Sequence, residues 1–89
     1  MKTVQILIKG KVQGVFFRAG AKEMADKLNV KGWVKNTAEG DVEIVGSGEE
    51  NDIYKFIEWC KRGPRRAVVT EIIVTQKEAV SFNEFSVRR

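Results

Sequence analysis

The chain has 89 residues, 43% of them apolar and 31% charged, a balance that suits one folded domain over residues 1–89 and not a disordered tail. It contains no histidine and one cysteine, which excludes Ser–His and Cys–His nucleophile pairs, zinc sites built with His, and any intrachain disulfide. Sixteen Lys and Arg against twelve Asp and Glu leave a formal charge of +4, a surplus that favours anionic partners without choosing between small phosphates and nucleic acid.

At the N-terminus Val4, Ile6 and Ile8 alternate with Gln5, Leu7 and Lys9, the period of two of a half-buried strand. This segment is too interrupted for a signal peptide, and no run nears the roughly 18 apolar residues of a membrane span. A cytoplasmic protein without membrane contact is expected. A glycine-bearing loop from Gly10 to Gly20 follows. Phe17, Ala21, Met24, Ala25 and Leu28 then fall on one face of a helix, which Asn29 and Gly32 stop. Val30–Thr37 and Asp41–Gly46 read as two strands joined by a turn at Glu39-Gly40, with Val42 and Ile44 facing the core and Asp41 and Glu43 facing water.

Ser47-Gly48-Glu49-Glu50 fits a capping box. It opens a second helix whose Ile53, Phe56, Ile57 and Cys60 share a face, and Gly63-Pro64 ends it. Val68–Thr75 reads as a strand with Ile72 and Val74 inward, and Glu84–Arg88 as a shorter one with Phe85 and Val87 inward. The order is that of an α+β, ferredoxin-like split βαββαβ fold: an antiparallel sheet with two helices on one face, plus a small closing strand.

Two places carry candidate chemistry. Gly14 permits a left-handed bend in a loop that leads into a helix N-terminus, where successive N–H groups can cradle an oxyanion and Arg18 can grip the same anion with a two-pronged contact. The plain structural alternative is a strand–helix turn with a solvated arginine. The spacing is not that of a P-loop, because five residues separate Gly14 from Gly20 and Ala21-Lys22 follows. Asn36, near a strand end, is either a second polar group for such a site or an asparagine bonded to its own backbone. The cluster Lys61, Arg62, Arg65 and Arg66 reads as cations at a helix C-terminus. Cys60, Trp33 and Trp59 read as packing, and Glu49, Glu50 and Asp52 as first-turn helix residues and not a metal site.

Taken together, these segments carry a resemblance. Gly10-Lys11-Val12-Gln13-Gly14-Val15-Phe16-Phe17-Arg18 resembles the first acylphosphatase signature, Gly-x-Val-Gln-Gly-Val-x-aromatic-Arg. The stretch from Gly32-Trp33-Val34-Lys35-Asn36 through Gly40, Val42, Gly46 and Gly48 resembles the second. The two occur in the right order and spacing, and Gly63-Pro64 also fits. The chain departs from the family at its end, Val87-Arg88-Arg89, where members often carry an aromatic residue.

The resemblance implies hydrolysis of the carboxyl–phosphate bond of a small acyl phosphate, with inorganic phosphate as product, no cofactor and no metal. It places the phosphoryl oxygens on Arg18 and on the loop amides of Gln13, Gly14, Val15, Phe16, Phe17 and Arg18, and gives Asn36 the attacking water. The inventory suits that chemistry, since the leaving carboxylate, with a conjugate-acid pKa of roughly 4, needs no general acid.

A monomer without nucleic-acid partners is expected. The alternative is an RNA-binding ferredoxin-like module, whose sheet would offer aromatics to bases. Against it, the run that begins Lys31-Gly32-Trp33-Val34-Lys35 lacks the aromatics such a signature requires downstream. A third reading, a maturation domain of a larger enzyme, is set against a chain that reads as free-standing.

Overall fold

The apolar positions of the first strand need a partner layer, and the computed structural model, which describes every residue from Met1 to Arg89, supplies it. The elements run β1 (Lys2–Lys11), α1 (Phe17–Lys27), β2 (Lys31–Asn36), β3 (Val42–Gly48), α2 (Glu50–Arg62), β4 (Val68–Lys77) and β5 (Phe85–Val87). The sheet order is β4-β1-β3-β2-β5. Central β1 pairs antiparallel with β3 (Ile6 opposite Ile44) and with β4 (Ile6 opposite Val74), while β2 and β3 form an antiparallel hairpin (Val34 opposite Ile44).

One parity of these strands, Val4, Ile6, Ile8, Val34, Val42 and Ile44, forms a single buried cluster with Phe17, Ala21 and Ala25 of α1 and Ile53, Phe56 and Cys60 of α2. The other parity, including Gln5, Leu7, Trp33 and Val45, is half-exposed. The helices therefore share one face, and burial of their apolar stripes against the sheet is the dominant favourable contribution to folding. Trp59 ties them together, edge-on to Phe17 at 5.3 Å and stacked on Phe56 at 6.3 Å.

The sheet is mixed, not purely antiparallel, because β5 lies parallel to β2, with Gly32 opposite Phe85 and Val34 opposite Val87. The cause is the route of the chain. β4 ends at Lys77 beside Thr3, at the end of the sheet where β2 begins. Residues 78–84 cross that end, pinned there by Val80, whose N–H donates to Thr3 Oγ1 (3.0 Å) and whose carbonyl accepts from Ser47 Oγ (2.7 Å). The chain thus enters β5 alongside the start of β2 and runs in the same direction.

That strap also overturns the capping box. Ser47 is the sixth residue of β3, 3% exposed, and its hydroxyl pairs with Thr3 and Val80; Glu49 is the N-cap of α2 and makes no side-chain cap bond. A buried hydroxyl holding the strap takes precedence over an exposed cap. Three other expectations change. Asp41 is buried, not solvated, because Lys9 Nζ holds its carboxylate at 2.9 Å. Val74 and Val87 are about two-fifths exposed; both lie on outer strands of the sheet, whereas Ile72 and Phe85 lie inward. The strand bounds also shift by one or two residues, so β1 runs on to Lys11 and the loop before α1 shrinks to residues 12–16.

Candidate active site

The C-terminal ends of β1 and β2, the start of β3 and the N-terminus of α1 meet at the end of the sheet opposite the strap. Val12 and Val15 are 1% and 3% exposed. These two anchors in the core force Gly14 and Phe16 outward between and beyond them. Gly14 adopts φ +75° and Phe16 φ +66°, ψ +26°. A left-handed aromatic residue is costly, of order 1 kcal/mol or more, and persists only where its surroundings over-determine it.

Two left-handed residues, Gly14 and Phe16, flank Val15 in this loop. None of the amides from Gln13 to Ala19 donates to a protein acceptor, and the first helical bond of α1 runs from Gly20 N–H to the Phe16 carbonyl at 3.0 Å. A run of unpaired amides at the positive end of a helix is suited to an anion.

This loop forms one wall of an open cavity of about 500 Å³. Gly14, Phe16, Phe17 and Arg18 line it from the loop and α1, and Asn36 lines it from the end of β2. The two residues whose side chains are expected to carry the chemistry, Arg18 and Asn36, thus border one space although 17 residues separate them in the chain. Arg18 is half-buried, and its Nη1 donates to the Arg88 carbonyl at 3.1 Å. That bond uses one of five guanidinium N–H donors and leaves the others for a ligand. Asn36 is the last residue of β2, paired across the sheet with Val42.

The side chains of two residues expected to bind through their amides, Val15 and Gln13, turn away from the cavity. Val15 packs in the core. The Gln13 side chain turns to the β2–β3 turn, where its Nε2 donates to the carbonyls of Thr37 and Asp41, both at 2.9 Å. Only their backbone amides belong to the loop's polar edge. The sequence reading missed the contribution of β5: Val87 and Arg89 also line the cavity, and the Arg88 carbonyl holds Arg18. A backbone carbonyl leaves no signature in side-chain identity, and a three-residue strand carries almost no periodicity.

Elsewhere the titratable groups are structural. The Cys60 thiol is buried against the sheet, and desolvation pushes its pKa far above the ordinary value. Lys9 is held above its ordinary value first by its hydrogen bond to Asp41 and then by that carboxylate's charge. No three His, Cys, Asp or Glu side chains converge as a metal-ligand set. Trp33 lies under the Arg88 guanidinium at 4.5 Å, with Lys35 Nζ at 5.5 Å. No helix is long and apolar enough to cross a membrane.

Comparison with known proteins shows which family this chain resembles. The acylphosphatase family model matches residues 4–87. An acylphosphatase of Methylococcus capsulatus is 41% identical over 90 residues, covering 100% of this chain and 98% of that protein; one of Pyrobaculum calidifontis is 45% identical over 84 residues, covering 92% and 76%. The crystal structure of acylphosphatase from Bacillus subtilis superposes with a TM-score of 0.95 at 39% identity, covering 100% of both chains. Full-length HypF, in a phosphate- and nucleotide-bound crystal form, matches at 35% identity and a TM-score of 0.88 over 99% of this chain but only 12% of its own. With its length, fold and cavity-bearing segments all matched, this chain belongs to the acylphosphatase family.

Proposed function

We propose that Arg18 and the unpaired amides of residues 13–18 hold the phosphoryl group of an acyl phosphate while the Asn36 carboxamide orients the attacking water. The activity is acylphosphatase hydrolysis: water adds at phosphorus, the bond from phosphorus to the bridging oxygen breaks, and carboxylate and inorganic phosphate leave. The single observation that carries the residue assignment is the shared cavity, with Arg18 and the loop on one wall and Asn36 on the other.

Each step follows from the inventory. The phosphoryl group of an acyl phosphate is doubly charged near neutral pH and offers three oxygens to donors. A guanidinium already oriented by Arg88 can take two of them bidentately, and the loop amides the remainder. These donors are fixed before substrate arrives, so little reorganisation is required as charge shifts toward the bridging oxygen. The leaving carboxylate departs unprotonated. The water must give up a proton, and the phosphoryl group itself, with a second pKa of about 6, is basic enough to accept it. Asn36 then serves geometry alone, worth a large rate factor when it holds the nucleophile in line.

The test is hydrolysis of benzoyl phosphate by the purified protein in excess chelator. Turnover should persist, inorganic phosphate should inhibit competitively, and Arg18→Ala should lower kcat/KM by at least about 10³-fold, the scale of losing a charged transition-state contact. An Arg18→Ala protein that hydrolyses substrate normally would refute the assignment. The alternative RNA-reading surface finds less support, because Trp33, the aromatic it would use, is covered by Arg88 and flanked by Lys35.

A further inference from the structure

The cavity is lined from different parts of the chain, and one side chain bridges the loop before α1 to the turn after β2. The turn from Thr37 to Asp41 closes on itself: Thr37 N–H donates to the Asp41 carbonyl (2.9 Å), Gly40 N–H to the Thr37 carbonyl (3.2 Å), and Asp41 N–H to Thr37 Oγ1 (3.1 Å). The carbonyls of Thr37 and Asp41 each keep a second lone pair, and both receive a hydrogen of the Gln13 amide nitrogen at 2.9 Å. A carbonyl only accepts, so the orientation of that amide is fixed. These are the only two hydrogen bonds between residues 12–16 and the turn. Gln13 immediately precedes Gly14 of the loop, and Thr37 immediately follows Asn36.

We infer that Gln13 is a positioning residue, which sets the distance between the phosphoryl-binding loop and Asn36 and so aims the nucleophile. Its side chain does not line the cavity. It acts through the turn: Thr37 is held, and the neighbouring Asn36 carboxamide takes its direction from that backbone. Asp41 is in turn anchored from β1 by Lys9, so the turn presents a stiff target to the Gln13 amide. The role rests on the assignment of Asn36 to the attacking water, and it differs from the backbone contribution that the family signature gives this position.

The prediction is selective. Gln13→Met keeps the shape and removes both donors, while each turn carbonyl retains its backbone partner, so the fold should persist. A displacement of about 1 Å at the nucleophile costs up to about 10²-fold. Gln13→Met should therefore lower kcat about 10- to 100-fold, with the inhibition constant for inorganic phosphate changed less than about 3-fold, because Arg18 and the loop still bind the anion. Gln13→Lys restores a donor of similar reach and should recover part of kcat.

The deciding measurement is a double-mutant cycle with Asn36→Ala. In the Asn36→Ala background, Gln13→Met should lower kcat by less than about 3-fold, while its effect on the urea midpoint is the same in both backgrounds. Losses in kcat that multiply independently overturn the Gln13 role alone. A phosphate inhibition constant that weakens as much as kcat falls also overturns it, because Gln13 would then serve binding. Asn36→Ala with unchanged kcat overturns both this inference and the function assigned to Asn36.

Discussion

Gly14 and Gly32 both have positive φ, at +75° and +143°, but adding one methyl group should separate their roles. At Gly14 a Cβ would meet nothing within 4 Å, so Gly14→Ala incurs only the left-handed backbone strain, about 1–2 kcal/mol. At Gly32 the same atom would overlap the Val45 carbonyl and approach the Gly46 Cα at 3.1 Å. These are backbone atoms of the paired β3 strand and cannot swing aside. Overpacking adds about 1–3 kcal/mol to a similar strain, for a sum of about 4 kcal/mol. A domain this size loses about 5 °C of Tm per kcal/mol. Calorimetry should therefore find Gly14→Ala about 5–10 °C below the parent and Gly32→Ala about 20 °C below. Benzoyl phosphate hydrolysis should rank them in reverse. At a temperature where both are folded, Gly14→Ala should lose about 10²-fold in kcat/KM, because relief of the strain at φ +75° shifts the loop whose amides are assigned to the anion, and Gly32→Ala much less. Equal melting losses, or a Gly14→Ala enzyme of normal kcat/KM, would refute the placement of the loop.

Other perturbations have definite signs. Asn36→Ala should lower kcat about 10²-fold with little change in KM, read from initial rates over a substrate series, since the role proposed for it is to aim water and not to grip substrate. The Cys60 thiol should stay unlabelled by an aromatic disulfide reagent at pH 8 and react fully in denaturant, because burial keeps it protonated. The Lys9 pKa is raised in the fold, so the stabilisation from its pair with Asp41 is fully present below pH 10.5 and is lost as pH rises through the higher folded value. The gap in urea midpoint between the parent and Lys9→Met should accordingly be constant up to about pH 10 and narrow above 10.5.

Much of this was legible where side-chain pattern and backbone geometry coincide. The alternation of Val4, Ile6 and Ile8, the helical spacing of Phe17, Ala21 and Ala25, and the stop at Gly63-Pro64 each reflect a local rule that tertiary packing reinforces. The failures have a common cause: a partner distant in sequence outbids a local one. Ser47 is a good cap by spacing, yet Thr3 and Val80 claim its hydroxyl inside the fold. Asp41 looks solvated beside a turn until Lys9 arrives from β1. The direction of β5 follows from where residues 78–84 cross the sheet, and no pattern within Phe85–Val87 encodes it. In the cavity, Arg18 and Asn36 stand out in the sequence only through the two signatures that contain them, since each alone also reads as an ordinary turn or strand-end residue. That Gln13 spends its amide on two carbonyls of a turn, and not on a ligand, depends on a distance.

Arg18 takes its bearing from Arg88, and Arg88 is held in place by a strand of only three residues. Phe85 anchors that strand in the core, and beyond it the pairing with β2 runs only to Val87, closed by the bond from Arg88 N–H to the Val34 carbonyl at 2.8 Å. Short terminal strands fray at free energies well below that of global unfolding. With Arg18 in the role proposed for it, warming should therefore end benzoyl phosphate hydrolysis several degrees before the core melts, as the thinnest zipper of the fold opens first.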